Sequence, residues 1–264
     1  MTATLARQIA KYEERGFNRE RAEINAMMEI AATTIFTEFP DAFVLLGGAA
    51  LVLYHDSLRH SADLDLLARA SKQPSATEII ECLQSALVPI AQILHLGELR
   101  FRLGSSSPQE RRIFIVSESD QQLFRVDLSS FGSAIESQIE DHHIQGETGG
   151  SVTVKSATKE LLLLQKAEAF LLRRYVKARD AYDIHLLDNL GARLNPNLRA
   201  HLHDALRSNE IDTELISNRI EQIEPRLCNL ELKPILPFEI YSALERLAFD
   251  PLRSALKNIY KEWL

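Results

Sequence analysis

Ala42-Phe43-Val44-Leu45-Leu46-Gly47-Gly48-Ala49-Ala50-Leu51-Val52-Leu53-Tyr54, followed shortly by Arg59-His60-Ser61-Ala62-Asp63-Leu64-Asp65-Leu66, is the stretch on which the reading of this chain turns. Ala42 to Leu46 is a short apolar run of the kind a buried strand uses, and Ala49 to Tyr54 has a helical composition. Gly47-Gly48 turns strand into helix with no side chain in the way, which leaves backbone N–H groups open to a ligand. At a helix N-terminus those donors make a cradle for a phosphate. Asp63-Leu64-Asp65-Leu66 alternates, so on a strand both carboxylates share one face while the two leucines point into the core. Neighbouring carboxylates repel unless a cation sits between them. Magnesium suits that position, because it takes oxygen ligands and pairs one or two carboxylates with phosphate oxygens and water. A donor-rich turn beside a carboxylate-bearing strand therefore predicts a site for Mg²⁺ and a nucleoside triphosphate.

Working outward, Leu5 to Phe39 reads as helix, with Ile9, Tyr12, Phe17, Ile24, Met28, Ala31 and Ile35 at helical intervals and Asn18 able to cap a second piece after Gly16. Downstream, Ala76 to Leu87 is patterned as a helix. Arg112 to Val116 and Leu123 to Leu128 are patterned as strands, and Val152 and Val154 suggest one more. Gly104 to Pro108 and Gly146 to Ser151 read as loops. Asp127, in Phe124-Arg125-Val126-Asp127-Leu128, closes an alternating strand and is the candidate for a third metal-binding carboxylate. Such a group is needed if a second ion is to activate an attacking hydroxyl. Its other reading is a strand-end Asp that caps a turn at Ser129-Ser130.

After Ser156 the character changes to nearly continuous helical patterning, with breaks near Gly191 to Pro196 and Lys233 to Pro237. The expected fold class is thus α+β: a mixed-sheet domain with N-terminal helices over residues 1–155, then an all-helical domain over 156–264. Lys166, Arg173 and Asp180 are seven apart in turn, so on a continuous helix they lie near one stripe. A straight helix would separate Lys166 from Asp180 by about 20 Å. The expected work of Asp180 or Asp183 is then to hold Arg59, Lys177 or a polar acceptor group.

The chain has 264 residues, 45% of them hydrophobic and 25% charged, enough for a substantial core. No apolar run approaches the roughly 20 residues of a spanning helix, and Met1 to Arg21 has no secretory apolar segment. Cys82 and Cys228 stand far apart, in no metal-ligand spacing, so a cytoplasmic protein without disulfides is expected. A net charge of −7 weighs against coating nucleic acid broadly. Arg173, Arg174, Lys177 and Arg179 form a local basic cluster, which fits either a solvated helix face or contact with RNA. His55, His60 and the pair His142-His143 receive no role from spacing alone.

The diglycine turn, short helix and Asp-apolar-Asp strand resemble the polymerase-β nucleotidyltransferase superfamily. Gly47-Gly48-Ala49-Ala50-Leu51 with Arg59-His60-Ser61-Ala62-Asp63-Leu64-Asp65 is more specifically similar to the AbiEii/AbiGii-type nucleotidyltransferase toxins. Those proteins also carry a helical Lys and an Arg-Asp-x-x-Asp motif, matched here by Lys166 and by Arg179-Asp180-Ala181-Tyr182-Asp183. The gap between Gly48 and Asp63 is a residue or so longer than the general superfamily pattern.

The resemblance implies an enzyme that transfers a nucleoside monophosphate from a triphosphate to an acceptor and releases pyrophosphate. Asp63, Asp65 and Asp127 would hold one or two Mg²⁺ ions, Gly47 and Gly48 the phosphates, and Lys166 further phosphate oxygens, with Asp180 in the catalytic set. Arg59 and Ser61 would contact the triphosphate, orient the aspartates, or simply brace the loop. By the same resemblance the acceptor is the 3′ end of a tRNA, the helical domain presents it, and the protein is a toxin with a cognate antitoxin, in a toxin–antitoxin or phage-defence system. Two alternatives stay open at this point. One is a nucleotidyltransferase acting on an antibiotic-type small molecule; the other is a nucleotide-binding module without turnover.

Overall fold

The computed structural model describes residues 3–68, 73–107, 110–130, 138–145 and 151–264. The chain divides into two compact units, Met1–Ala157 and Thr158–Leu264. In the first, α1 (Ala3–Glu14) and α2 (Arg19–Glu38) are separate helices, because Gly16 takes a φ of 89° and the Asn18 side chain caps α2 by accepting the Arg21 N–H at 3.0 Å. Then follow β1 (Phe43–Leu46), α3 (Gly47–Tyr54), β2 (Asp63–Ala68), α4 (Ala76–Ile93), β3 (Arg100–Ser107), β4 (Glu110–Val116), β5 (Gln122–Ser130), β6 (Ile139–Gln145) and β7 (Ser151–Ala157). Helix α4 starts at a capping box, in which Ser75 and Glu78 satisfy each other's backbone N–H groups, and it runs beyond the expected Leu87 to Ile93.

The seven strands form one mixed sheet in the order β3-β4-β5-β2-β1-β7-β6. The pairs β2–β5 and β1–β7 are parallel and the others antiparallel. Every residue of β1 is buried, as a central strand covered on both faces requires. Leu64, Leu66, Val126, Leu128, Ile113 and Ile115 carry the apolar face inward across three strands.

One loop expectation fails here, and one strand has no counterpart in the sequence reading. Gly104 to Ser107 continues β3, since Gly104 pairs with Arg112, and a Cβ on Gly104 would come within 2.9 Å of the Phe114 ring. Pro108 lies outside the described residues. The polar run of β6, which has no apolar alternation to mark it, is a strand because it pairs with β7 along its whole length. Both unexpected strands are the two edges of the sheet, where one side and much of each face meet water and burial imposes little pattern. Leu103 on β3 is 59% exposed. Gly146 to Gly150, expected as loop, lie outside the described residues, and Ser151 opens β7.

The second unit holds α5 (Lys159–Leu172), α6 (Ala178–Asn189), α7 (Pro196–Ser208), α8 (Thr213–Glu221), α9 (Pro225–Glu231), α10 (Phe238–Arg246) and α11 (Asp250–Ile259). Thr158 caps α5 through its side chain. Phe170 and Tyr260 stack with ring centres 6.2 Å apart, and the buried Tyr260 hydroxyl donates to the Ala167 carbonyl at 2.7 Å. The expectation of one continuous helix through Lys166, Arg173 and Asp180 is corrected: α5 ends at Leu172, Arg173 is extended with a ψ of 146°, and the chain re-enters helix only at Ala178. Cys82 and Cys228 are unpaired thiols. No described helix is long and apolar enough to cross a membrane.

Candidate active site

The first cluster is set by sheet register. β2 lies beside β5 in parallel, which puts Asp63 opposite Arg125 and Asp65 opposite Asp127. Alternate residues of a strand share a face, so all four side chains leave the sheet on one side. On the other side of β2, Leu46 pairs with Asp65, and the chain turns at once into α3. Gly47 makes that turn with a φ of 65°, in the left-handed region that favours glycine. A Cβ there would stand 1.9 Å from Asp65 Oδ2, and one on Gly48 would stand 2.4 Å from the Arg59 guanidinium and 2.6 Å from Ser61 Oγ. The missing side chains thus let Asp65, Arg59 and Ser61 close up against the backbone of the diglycine.

Arg59 and Ser61 are buried, 4% and 6% exposed. Arg59 donates to the His60 carbonyl at 3.1 Å, and Ser61 to the Asp63 carbonyl at 3.5 Å. Both therefore brace the approach to β2. Burial, with Arg21 and Arg59 nearby, lowers the His60 pKa to about 4.

Arg125 is the residue that sequence reading passed over. Its Nε lies 3.0 Å from Asp63 Oδ1 and donates to Asp127 Oδ2 at 3.1 Å, while Nη2 donates to Asp63 Oδ2 at 3.1 Å. The guanidinium occupies the space between two carboxylates that would otherwise repel. Its signal was present in the sequence as an Arg two positions before Asp127, hence on the same strand face. The Asp127 pKa is raised, chiefly by burial, with Asp63 adding to the rise and Arg125 opposing it. Asp127 Oδ1 is buried and accepts no hydrogen bond from a described residue; Arg112 Nε stands 3.6 Å from it.

This donor set fits a hard divalent ion. Three carboxylates converge on one sheet face, one of them keeps a buried oxygen that accepts no hydrogen bond from a described residue, and Asp65 closes against the backbone of Gly47. Asp63, Asp65 and Asp127 would hold the ion. Bound there, it would neutralise phosphate charge and favour in-line displacement.

The second cluster belongs to the helical unit. Lys166 Nζ lies 2.8 Å from Asp183 Oδ2 and 3.8 Å from Asp180 Oδ1, and Arg173 Nε lies 2.9 Å from Asp180 Oδ2. Both aspartates are fully buried and the Lys166 side chain is 10% exposed. The break between α5 and α6 folds the two helices together and turns an expected separation of about 20 Å along a straight helix into a direct ion pair. Asp180 and Asp183 hold Lys166 and Arg173. Lys177 pairs with Glu231 at 2.9 Å. Two members of the basic cluster, Arg173 and Lys177, are thus engaged with carboxylates. A phosphate-binding duty for Lys166 would have to draw its ammonium away from Asp183.

With this geometry in hand, the chain can be compared with known proteins. Residues 31–251 match the family described as "Nucleotidyl transferase AbiEii toxin, Type IV TA system". Among solved structures, a Helicobacter pylori protein described as a candidate nucleotidyltransferase superposes with a TM-score of 0.56 at 17% identity, covering 94% of this chain and 97% of that one. JHP933 from Helicobacter pylori gives 0.54 at 16% identity, with 94% of each chain covered. At these identities the likeness is one of fold. No curated protein matches the sequence.

Proposed function

The chain belongs to the AbiEii nucleotidyl transferase toxin family and is a nucleotidyltransferase, and from that premise we propose that it uses Mg²⁺ to transfer a nucleoside monophosphate from a triphosphate to the 3′ end of a tRNA, as a cytoplasmic toxin restrained by an antitoxin. The single observation that carries the metal-dependent reading is the convergence of Asp63, Asp65 and Asp127 on one face of β2 and β5, with Asp65 packed against Gly47.

The acceptor hydroxyl oxygen attacks the α-phosphorus and forms a new P–O ester bond. The α–β phosphoanhydride bond breaks, and pyrophosphate leaves with its electron pair. The hydroxyl proton passes to solvent water. Backbone N–H groups at the start of α3 bind phosphate oxygens, with Arg59 and Ser61 holding the turn against β2. Positioning and charge stabilisation supply most of the acceleration, as is general for transfer at phosphorus. For Lys166 and Asp180 we propose a positioning role through their shared buried cluster, which fixes α5 against α6.

The test is to incubate the protein with Mg²⁺, each labelled nucleoside triphosphate in turn and total cellular RNA, with Asp63→Ala as control. Label in a tRNA-sized band with the unaltered protein and none with the variant is the expected result. Label absent from all RNA, with pyrophosphate released when aminoglycosides are added, would overturn the RNA acceptor in favour of a small molecule.

A further inference from the structure

A second group of ligand atoms lies on the opposite flank of the sheet. Glu140 and His142 are two apart on the edge strand β6, so both side chains project from one face. His55 is the residue that closes the C-terminal end of α3. His55 Nε2 stands 3.5 Å from Glu140 Oε1, His142 Nε2 stands 3.2 Å from the same oxygen, and the three atoms all lie within 4.8 Å of one another.

The two distances to the Glu140 oxygen are close to what one ion would impose. Four-coordinate zinc sits about 2.0–2.1 Å from nitrogen and oxygen ligands, which sets neighbouring ligand atoms about 3.3–3.4 Å apart. The rings are also held in place. Tyr54 stacks on His142 at 4.1 Å with 12° between planes, and His55 meets His142 edge-on at 87°. Ser156 Oγ lies 3.0 Å from His142 Nε2 and also donates to the Ala157 carbonyl, so it can release the imidazole without losing its own partner. Two imidazoles and one carboxylate suit a borderline transition ion and not magnesium, which takes oxygen ligands.

We propose that His55, Glu140 and His142 form a binding site for Zn²⁺, with solvent completing four-coordination, which pins the end of α3 to the sheet edge. The site is separate from the three aspartates: β7 and β1 stand between β6 and β2 in the sheet. It does not rest on the transfer chemistry. Its consequence for the first site is mechanical, since α3 begins at Gly47, the turn that packs against Asp65, and ends at the zinc ligand.

The experiment uses the full chain, stripped with chelator and titrated with Zn²⁺ in the presence of excess Mg²⁺, with bound metal counted after gel filtration and melting followed in parallel. One equivalent is expected, with a rise in Tm of about 5–10 °C when zinc is a hundredfold above its Kd. Substituting Co²⁺ should give the visible bands of a four-coordinate nitrogen–oxygen site. His142→Ala should weaken zinc binding at least tenfold. Glu140→Gln, which alters a half-exposed side chain and spares the Tyr54 stack, should do the same if the alanine variant does not fold. Asp63→Asn should leave zinc binding unchanged. No retained zinc, zinc that survives Glu140→Gln, or zinc lost in Asp63→Asn would each overturn the assignment.

Discussion

Replacing Gly47 with Ala tests the site at its tightest point. Two costs follow from the structure and can be separated. The first is conformational: a φ of 65° disfavours any residue with a Cβ, by about 1–2 kcal/mol. The second is a collision, because the new methyl would sit 1.9 Å from Asp65 Oδ2. Opening that contact to 3.0 Å, the closest approach that real Cβ atoms show, moves the carboxylate or the turn by about 1.1 Å. A displacement of about 1 Å at a reacting centre costs on the order of a hundredfold in rate. Gly191 is the matched control, since its φ of 74° imposes the same backbone penalty while nothing lies within 4 Å of its would-be Cβ. Urea unfolding should therefore show Gly191→Ala destabilised by about 1–2 kcal/mol and Gly47→Ala by more than that. Pyrophosphate release should fall about a hundredfold in Gly47→Ala alone, with weaker Mn²⁺ binding measured by calorimetry. If Gly47→Ala keeps its rate and metal affinity within a few-fold, the claim that the turn and Asp65 form one unit is wrong.

Three further outcomes are expected. Arg125→Ala leaves Asp63 and Asp127 facing each other without their shared cation; stability without divalent ions should drop by about 1–3 kcal/mol, and Mg²⁺ should raise the Tm of the variant more than that of the parent, equal shifts contradicting the role given to the guanidinium. Lys166→Met removes the ammonium that two fully buried carboxylates share, so unfolding in urea should show a loss of about 3–5 kcal/mol, whereas a loss below about 1 kcal/mol would mean the cluster is not a keystone of the helical unit. His60, with a folded pKa of about 4 against about 6.5 when unfolded, is a depressed base; the unfolded chain binds the proton more readily, so stability falls as pH drops through 6.5 towards 4. That dependence amounts to about 2 kcal/mol between pH 7.5 and 5, and comparison of urea midpoints should show it flattened in His60→Gln.

What the sequence disclosed and what it hid follow from how local each signal is. Strand β1, the diglycine turn, α3 and the alternating Asp63 to Leu66 are set by neighbours within a few residues, and their expected conformations are the observed ones. Asn18 was legible as a cap for the same reason. The edge strands β3 and β6 were not, because a strand with water along one side needs no apolar alternation to pay its way. The break after Leu172 was hidden too: Arg173 to Lys177 holds neither Gly nor Pro, and the return at α6 is fixed by Lys166 and Arg173 finding Asp183 and Asp180. Arg125 eluded the reading because its partner Asp63 is 62 positions away and is reached only through the β2–β5 register. The glycine turn and the Asp63-Asp65 alternation lie in short motifs and were legible; the bridge from Arg125 to Asp63, made by pairing across the sheet, was not.

The parallel ladder between β2 and β5 also has a temporal meaning. A ribosome delivers Asp63 and Asp65 long before Arg125 and Asp127, and no local turn can join a parallel pair; the whole excursion through α4, β3 and β4 must be synthesised first. A nascent or truncated chain that stops within that excursion holds two acids without their counter-cation and without the third carboxylate. The three aspartates are thus brought together only once the chain has been made past Asp127, so a copy that stops short of that residue lacks the proposed site.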